Sequence, residues 1–308
     1  MPSSAFSSIN RPVARRRRPR RHVSSLSIIG WVLLVIYSVL MIGILIWAIL
    51  SSLKDDFDFM TEPFGWPSSF QFGNYATAWR EFKVTIEDGA GSRDVYLPEM
   101  LLYSLIYSLG CAIANTLTCC IVGYLACKYP HKAMSKVLYF IVIFALVFPA
   151  VGSLPSEIQM ARALHTYNSM IGAFFMKANF LGMNFLIFYA AFKSIPWDYA
   201  EAGFVDGASH FRVMSQLMFP MIKPTILAVF LLSFIGYWND YYTPMIYLPR
   251  YPTASYGLYL YCLNSGNATA TIPVQLAGCL IVFLPTLILF LLFKKRLIGN
   301  MTVGGLKG

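Results

Sequence analysis

The chain has 308 residues, 57% of them apolar and only 12% charged. Soluble domains carry about 25% charged residues, so a cytosolic enzyme is excluded. The net charge of +10 sits in runs that flank apolar stretches, which fits lipid contact and topology setting and excludes a nucleic-acid-binding role.

Residues 1–26 form a basic tail holding Arg11, Arg15 to Arg18, Arg20 and Arg21. No charged residue occurs from Val23 to Leu53. That apolar run exceeds the 7–15 residues of a secretory h-region, and no Ala-x-Ala site follows, so 27–51 reads as a retained first membrane span. The segment 52–100 carries nine acidic residues and ten aromatic ones, Phe57, Trp66 and Trp79 among them. It predicts an ordered external cap that serves the fold, with partner binding as the second reading.

Residues 101–293 predict a five-helix core, with spans at 101–127, 137–160, 170–192, 225–248 and 272–293. Pro149, Gly152 and Pro155 punctuate the third span, Gly236 and Pro244 the fifth, and Gly278 and Pro285 the sixth. Such breaks are tolerated where neighbours or water satisfy the backbone. They either mark moving, substrate-lining helices or are ordinary kinks. Six spans put both termini on one side. The tails, the 128–136 loop and the 193–224 loop together hold seventeen of the 24 lysines and arginines, which assigns that side to the cytoplasm. Residues 294–308 are then a cytoplasmic tail, with Lys294, Lys295 and Arg296 just past the last span.

The six cysteines lack the paired spacing of a zinc site, and five lie in or beside apolar spans. They read as small buried hydrophobes.

The loop at 193–224 is the polar exception. Pro196 suits a helix start, and Asp198 with Glu201 fits a capping pair. Tyr199 to Val205 gives about two turns, Asp206-Gly207 offers a bend, and Ser209 is placed to cap a second helix that Pro220 and Pro224 stop. The prediction is helix, bend, helix, lying across the cytoplasmic mouth.

The spacing Glu201-Ala202-Gly203, three residues, Gly207, nine residues, Leu217-Met218-Phe219-Pro220 resembles the Glu-Ala-Ala…Gly…Ile-x-Leu-Pro loop of permeases from ATP-binding-cassette (ABC) importers. Gly203, Leu217 and Phe219 depart from the pattern but keep its plan. The resemblance implies an all-α membrane protein of type I importer permease architecture, in which this loop is the coupling helix that docks on an ATPase. By the same resemblance Glu201 is the ion-pair partner, Ala202 and Gly203 the close-packing surface, Gly207 the bend, and Asp206, Ala208 and Pro220 part of the docking segment. The bland alternative is a surface amphipathic helix with a capping Glu.

Tyr237-Trp238-Asn239-Asp240 is similar to a Trp-Asn-Asp run in sugar-importer permeases. The ending Gly299 to Gly308, closing in Lys307-Gly308, looks like the tail of the second permease subunit in maltose-type importers. The similarity covers most of 100–308. It implies a second permease subunit, two ATPase subunits, an external or periplasmic solute-binding protein and a sugar substrate, working by alternating access. The rival readings are a permease for glycerol phosphate, polyamine or peptide, or an ion-coupled secondary transporter, which would need inverted repeats and several buried ionisable groups.

Asp240 lies about 23 Å past the cytoplasmic end of the fifth span, at 1.5 Å per residue. Asn239 and Asp240 either face a cavity or bond a neighbouring helix end. Trp238 lines a path or belongs to the interfacial belt, to which Tyr241 and Tyr242 lean. Lys177 and Asn179 are further path candidates, and Glu157 is placed near the outer end of the third span. No phosphate-binding loop, His-Glu-x-x-His or Gly-x-Ser-x-Gly occurs, so neither ATP binding, a cofactor nor catalysis is expected on this chain.

Overall fold

The computed structural model describes residues 25–88, 91–128, 132–148, 152–263 and 271–301. Most of the basic tail and the Lys307-Gly308 ending lie outside them. Residues 1–47 and 48–308 are two compact units.

The first unit holds most of helix α1 (Ser25–Ser52), an uncharged apolar stretch. The second begins with the segment that was expected to be a cap. It folds as α2 (Asp56–Thr61), α3 (Gly73–Glu81) and a hairpin of β1 (Lys83–Asp88) and β2 (Gly91–Tyr96). The hairpin corrects the all-helical expectation. Its strands pair antiparallel, Lys83 opposite Tyr96 and Ile86 opposite Arg93. Val84, Ile86 and Val95 turn to one face and join Phe82, Met100, Ala254 and Tyr261 in a buried cluster. The alternation of apolar and polar residues at period two is what drives it. Asn74 ties the cap down, its amide donating to Ser52 O at 2.9 Å and Lys54 O at 2.8 Å. Lys54 is fully buried and donates to the Glu62 carbonyl.

Helix α4 (Leu97–Lys128) is the hub. Its neighbours are α5 (Lys132–Val147), α7 (Met170–Lys177), α8 (Met183–Lys193), α11 (Lys223–Trp238) and α13 (Ala254–Leu263). A stripe of small residues explains this. Ser104, Ser108, Ala112, Thr116, Cys119, Gly123 and Ala126 are all buried, and steps of three and four place them on one face. Small side chains let helices in lipid approach closely. A Cβ on Gly123 would stand 3.0 Å from Phe188 Cβ.

Three expected spans are interrupted. The third ends as a helix at Val147; α6 (Leu154–Ala163) restarts after Gly152, whose φ is +78°. The fourth divides into α7 and α8, because Asn179 to Gly182 are not helical. The fifth divides into α11 and α12 (Tyr242–Tyr247) around Asn239 and Asp240. The sixth does the opposite. Pro285 lies inside an unbroken α14 (Ile272–Met301), so the expected tail is helical to 301.

Among the described residues, Ser27–Ser52, Leu97–Lys128 and Ile272–Lys294 are long and apolar enough to cross a membrane. His210–Met221 and Lys223–Trp238, bent by 78°, add a fourth if taken as one span.

Candidate functional site

Two regions concentrate the predicted residues. The first is an elbow between α8 and α11. Helix α9 (Asp198–Val205) starts with Trp197 at the cap position and no side-chain cap bond. Asp198 is therefore the first helical residue rather than the cap, and with Glu201 it sits where the positive helix end favours acids. Gly207 closes the helix at φ +77°. Ala208 N donates to Gly203 O at 2.9 Å and Gly207 N to Phe204 O at 3.0 Å. This paired closure needs the left-handed backbone that glycine adopts freely.

Helix α10 (His210–Met221) follows, with Ser209 Oγ accepting from Arg212 N at 3.4 Å. Its middle, Val213–Met218, widens to a π-helix, and Phe219 N donates to Met214 O. Pro220 explains the widening. It has no N–H to give Gln216, and its ring would strike that carbonyl in a regular helix. Neither proline stops the chain as expected. Pro220 lies within the last short helical piece, and Pro224 falls in the first turn of α11, past the 78° bend.

The elbow is fixed from within and open outside. Ala200, Val213 and Met218 are buried with Tyr124, Phe188, Phe192 and Ile195. Gly203 is buried also, and a Cβ there would meet Leu217 Cδ1 at 2.7 Å. It packs α9 against α10, not against the outside. Glu201, Ala202, Asp206, Gly207 and Pro220 are exposed and Ala208 is half-buried. Around them Tyr199, Val205 and Phe211 are exposed apolar side chains, Val205 at 88%.

The second region lies where two helix breaks meet. Lys177 ends α7 and Asp240 sits between α11 and α12. Their charged atoms are 3.7 Å apart, with side chains 27% and 19% exposed. Lys177 Nζ donates to Thr243 Oγ1 at 3.0 Å and stands 5.7 Å from the Tyr237 ring centre. Asp240 accepts from the Tyr107 hydroxyl and from Thr243 N, each at 3.0 Å.

Beside the pair runs a chain of amides. Asn115 donates to Lys177 O at 3.2 Å and Asn179 O at 2.9 Å, so it satisfies the carbonyls freed by the break. Asn184 donates to Asn115 Oδ1 at 2.7 Å and to Ser233 Oγ at 3.1 Å. Asn115, Lys177, Asn179, Asn184 and Tyr237 line a polar cavity of about 390 Å³. A second cavity of about 480 Å³ shares Met176 and Asn179 with it and reaches Glu157, which accepts from the Tyr247 hydroxyl at 2.9 Å.

The structure thus brings Lys177, Asn179 and Asp240 together and leaves two candidates aside. Trp238 is buried, and its Nε1 donates to Val282 O at 3.1 Å. Asn239 donates to Ile235 O at 2.8 Å, one turn back on its own helix. Tyr107, Asn115, Asn184, Ser233 and Thr243 were not foreseen. A single amide in an apolar helix was their only signal.

Residues 120–298 match the family described as "Binding-protein-dependent transport system inner membrane component". A diacetylchitobiose uptake system permease protein of Streptomyces coelicolor is 26% identical over 287 residues, 90% of this chain and 87% of that one. A maltodextrin transport system permease protein of Streptococcus pneumoniae is 29% identical over 210 residues, 67% of this chain and 74% of that one. Among solved structures, a chain of a bacterial ABC transporter involved in alginate import superposes with a TM-score of 0.74 at 20% identity, covering 91% of this chain and 99% of that one. With more than half its length inside the matched region, the chain belongs to the inner membrane components of binding-protein-dependent transport systems.

Proposed function

We propose that this chain is one permease subunit of an ATP-driven importer that carries a saccharide delivered by an external binding protein. Its family membership carries the reading. The saccharides named for its relatives, diacetylchitobiose and maltodextrin among them, support the substrate class. An ion-coupled carrier working alone does not fit that family.

In this reading six segments cross the membrane: α1, α4, α5 with α6, α7 with α8, α11 with α12, and α14. Both termini are cytoplasmic, and 52–100 is external. A second, different permease subunit completes the path, and two ATPase subunits drive it. The elbow at 193–224 is the coupling element. Glu201 meets a basic residue of the ATPase, and Ala202, Asp206, Gly207, Ala208 and Pro220 shape the docking face, with Gly203 holding α9 to α10. Because α9 and α10 are packed on α4 and α8 through Tyr124, Phe188 and Phe192, displacement of the elbow reaches the spans without slack. The path runs by Lys177, Asn179 and Asp240. Trp238 and Asn239 hold the broken helix that presents them.

The test is purification of the tagged chain from its native membrane. A stoichiometric ATPase and a second permease are expected. A chain that transports after reconstitution alone would end the reading.

A further inference from the structure

The polar cavity lies inside the transport reading just given, but nothing in that reading says whether this subunit touches the cargo or what charge the cargo carries. We infer that the cavity between the two broken helices is a saccharide subsite on this chain, built for an uncharged sugar and set against an acidic one.

Three observations support this. The first is the supply of polar atoms. Asn179 Oδ1 accepts from Leu181 N at 2.8 Å, so its amide nitrogen is available to a ligand hydroxyl. Both donor contacts found for Asn184 go to Asn115 and Ser233, and its carbonyl oxygen has no donor among the described residues. Amide groups that both give and accept suit sugar hydroxyls, which do the same. The second is the Tyr237 ring, which lines the same cavity and offers an apolar face to the C–H side of a pyranose.

The third is charge. Lys177 is the cation of the cavity wall, and it is compensated by Asp240 at 3.7 Å. Glu157 adds a second carboxylate where the adjoining cavity shares Met176 and Asn179. With Lys177 neutralised by Asp240 behind the wall and Glu157 on the wall of the adjoining cavity, the space is negative on balance. Inside a membrane, charges act through a low dielectric and are felt over longer distances than in water. A uronate entering this space meets repulsion. A neutral pyranose meets hydrogen-bonding partners only.

The experiment uses the purified complex of this chain with its partner permease and ATPases, in detergent, without the binding protein. Saturation-transfer NMR is recorded with three neutral probes (maltotriose, diacetylchitobiose and arabinotriose) and with an alginate trisaccharide. At least one neutral probe should receive transfer, and the alginate trisaccharide should not. Asn184→Leu should weaken binding of the neutral probe roughly fivefold, the loss of one neutral hydrogen bond. Glu157→Gln with Asp240→Asn leaves Lys177 as the sole charge and should admit the alginate trisaccharide. Adding Lys177→Met to that pair should expel it again.

Transfer from the acidic trisaccharide to the unaltered complex, equal to that from a neutral probe, would overturn the inference. So would silence from all three neutral probes, or indifference to Asn184→Leu. Neither of the last two needs a variant with altered charge to fold. If the same complex, supplied with its binding protein in vesicles, still imports a sugar on ATP addition, the transport reading stands while the subsite falls.

Discussion

The segment 52–100 and the elbow at 193–224 differ in where their polar groups find partners. In the cap several polar groups are paired within the segment itself, although Phe57, Phe64 and Trp66 are exposed on its surface. Asn74 binds two carbonyls of its own segment, Lys54 is buried against Glu62, and Lys83 and Arg93 pair with Asp94 and Glu99 at 2.6 and 2.7 Å. The elbow turns them outward: Glu201, Asp206 and Arg212 are exposed, with Tyr199, Val205 and Phe211 beside them. The paired groups of the cap stabilise its own fold, while the elbow, held firmly from below, leaves charged side chains exposed on its outer face.

That contrast can be broken at several points. The largest effect is expected at the elbow's outer face. Glu201→Lys with Gly207→Trp reverses the charge and forces a side chain onto φ +77°, where residues other than glycine are strained. Uptake should be lost and the ATPase should no longer co-purify, while the chain still folds at a stability cost of about 1–2 kcal/mol. Undiminished uptake would sink the coupling proposal.

Next comes the membrane pair. Lys177→Ala leaves Asp240 without its cation, and unfolding in detergent should be eased by about 2 kcal/mol, a part-exposed version of the cost of breaking a buried pair. Lys177→Met with Asp240→Asn should recover more than half of that. A double variant no better than the single one would show that the two groups are not coupled.

In the cap, Asn74→Ala strands two carbonyls. A loss of about 1–3 kcal/mol in stability is expected, with transport per folded molecule unchanged. A transport defect at full stability would move the cap into the functional machinery. Gly203→Ala is expected to be milder, within about 1 kcal/mol, since helix propensity is gained and the obstructing atom is the tip of Leu217.

The smallest effect is that of pH on the hairpin. Hydrogen bonds from Lys83 and Thr85 hold Asp94 below its ordinary value of 3.8, and Asp94 holds Lys83 above 10.5. The Asp94 contribution is therefore complete above the ordinary carboxylate value and fades as pH falls through the lowered one. The Lys83 contribution is complete below 10.5 and fades as pH rises through the raised one. The protection of the β1 and β2 amides, taken relative to their intrinsic exchange rates at each pH, should be flat across neutral pH and fall only at the extremes.

Much of this was legible in the sequence. The elbow's bend needed a glycine at one place, and Gly207 stands there. The apolar runs marked the spans because lipid allows few charges. The hairpin had its signal too, in alternating Val84 and Ile86 ahead of Asp88-Gly89, but the ten aromatic residues of the segment gave a stronger signal of a packed surface. The broken spans were harder. Asn179 and Asn239 suggest a break only when the groups that compensate it are known, and Asn115 lies 64 residues from the carbonyl it satisfies. The bond from Trp238 was hidden for the same reason, since its partner, Val282, is 44 residues away.

The widened turn at Val213–Met218 has one further consequence. A π-helix carries a surplus residue within an otherwise regular spiral. Deleting one residue there would turn the part of α10 before the bulge by about 100° relative to the part after it. The azimuth at which Glu201 is presented is therefore set by a single extra amino acid, which serves as a built-in shim between α9 and the end of α10.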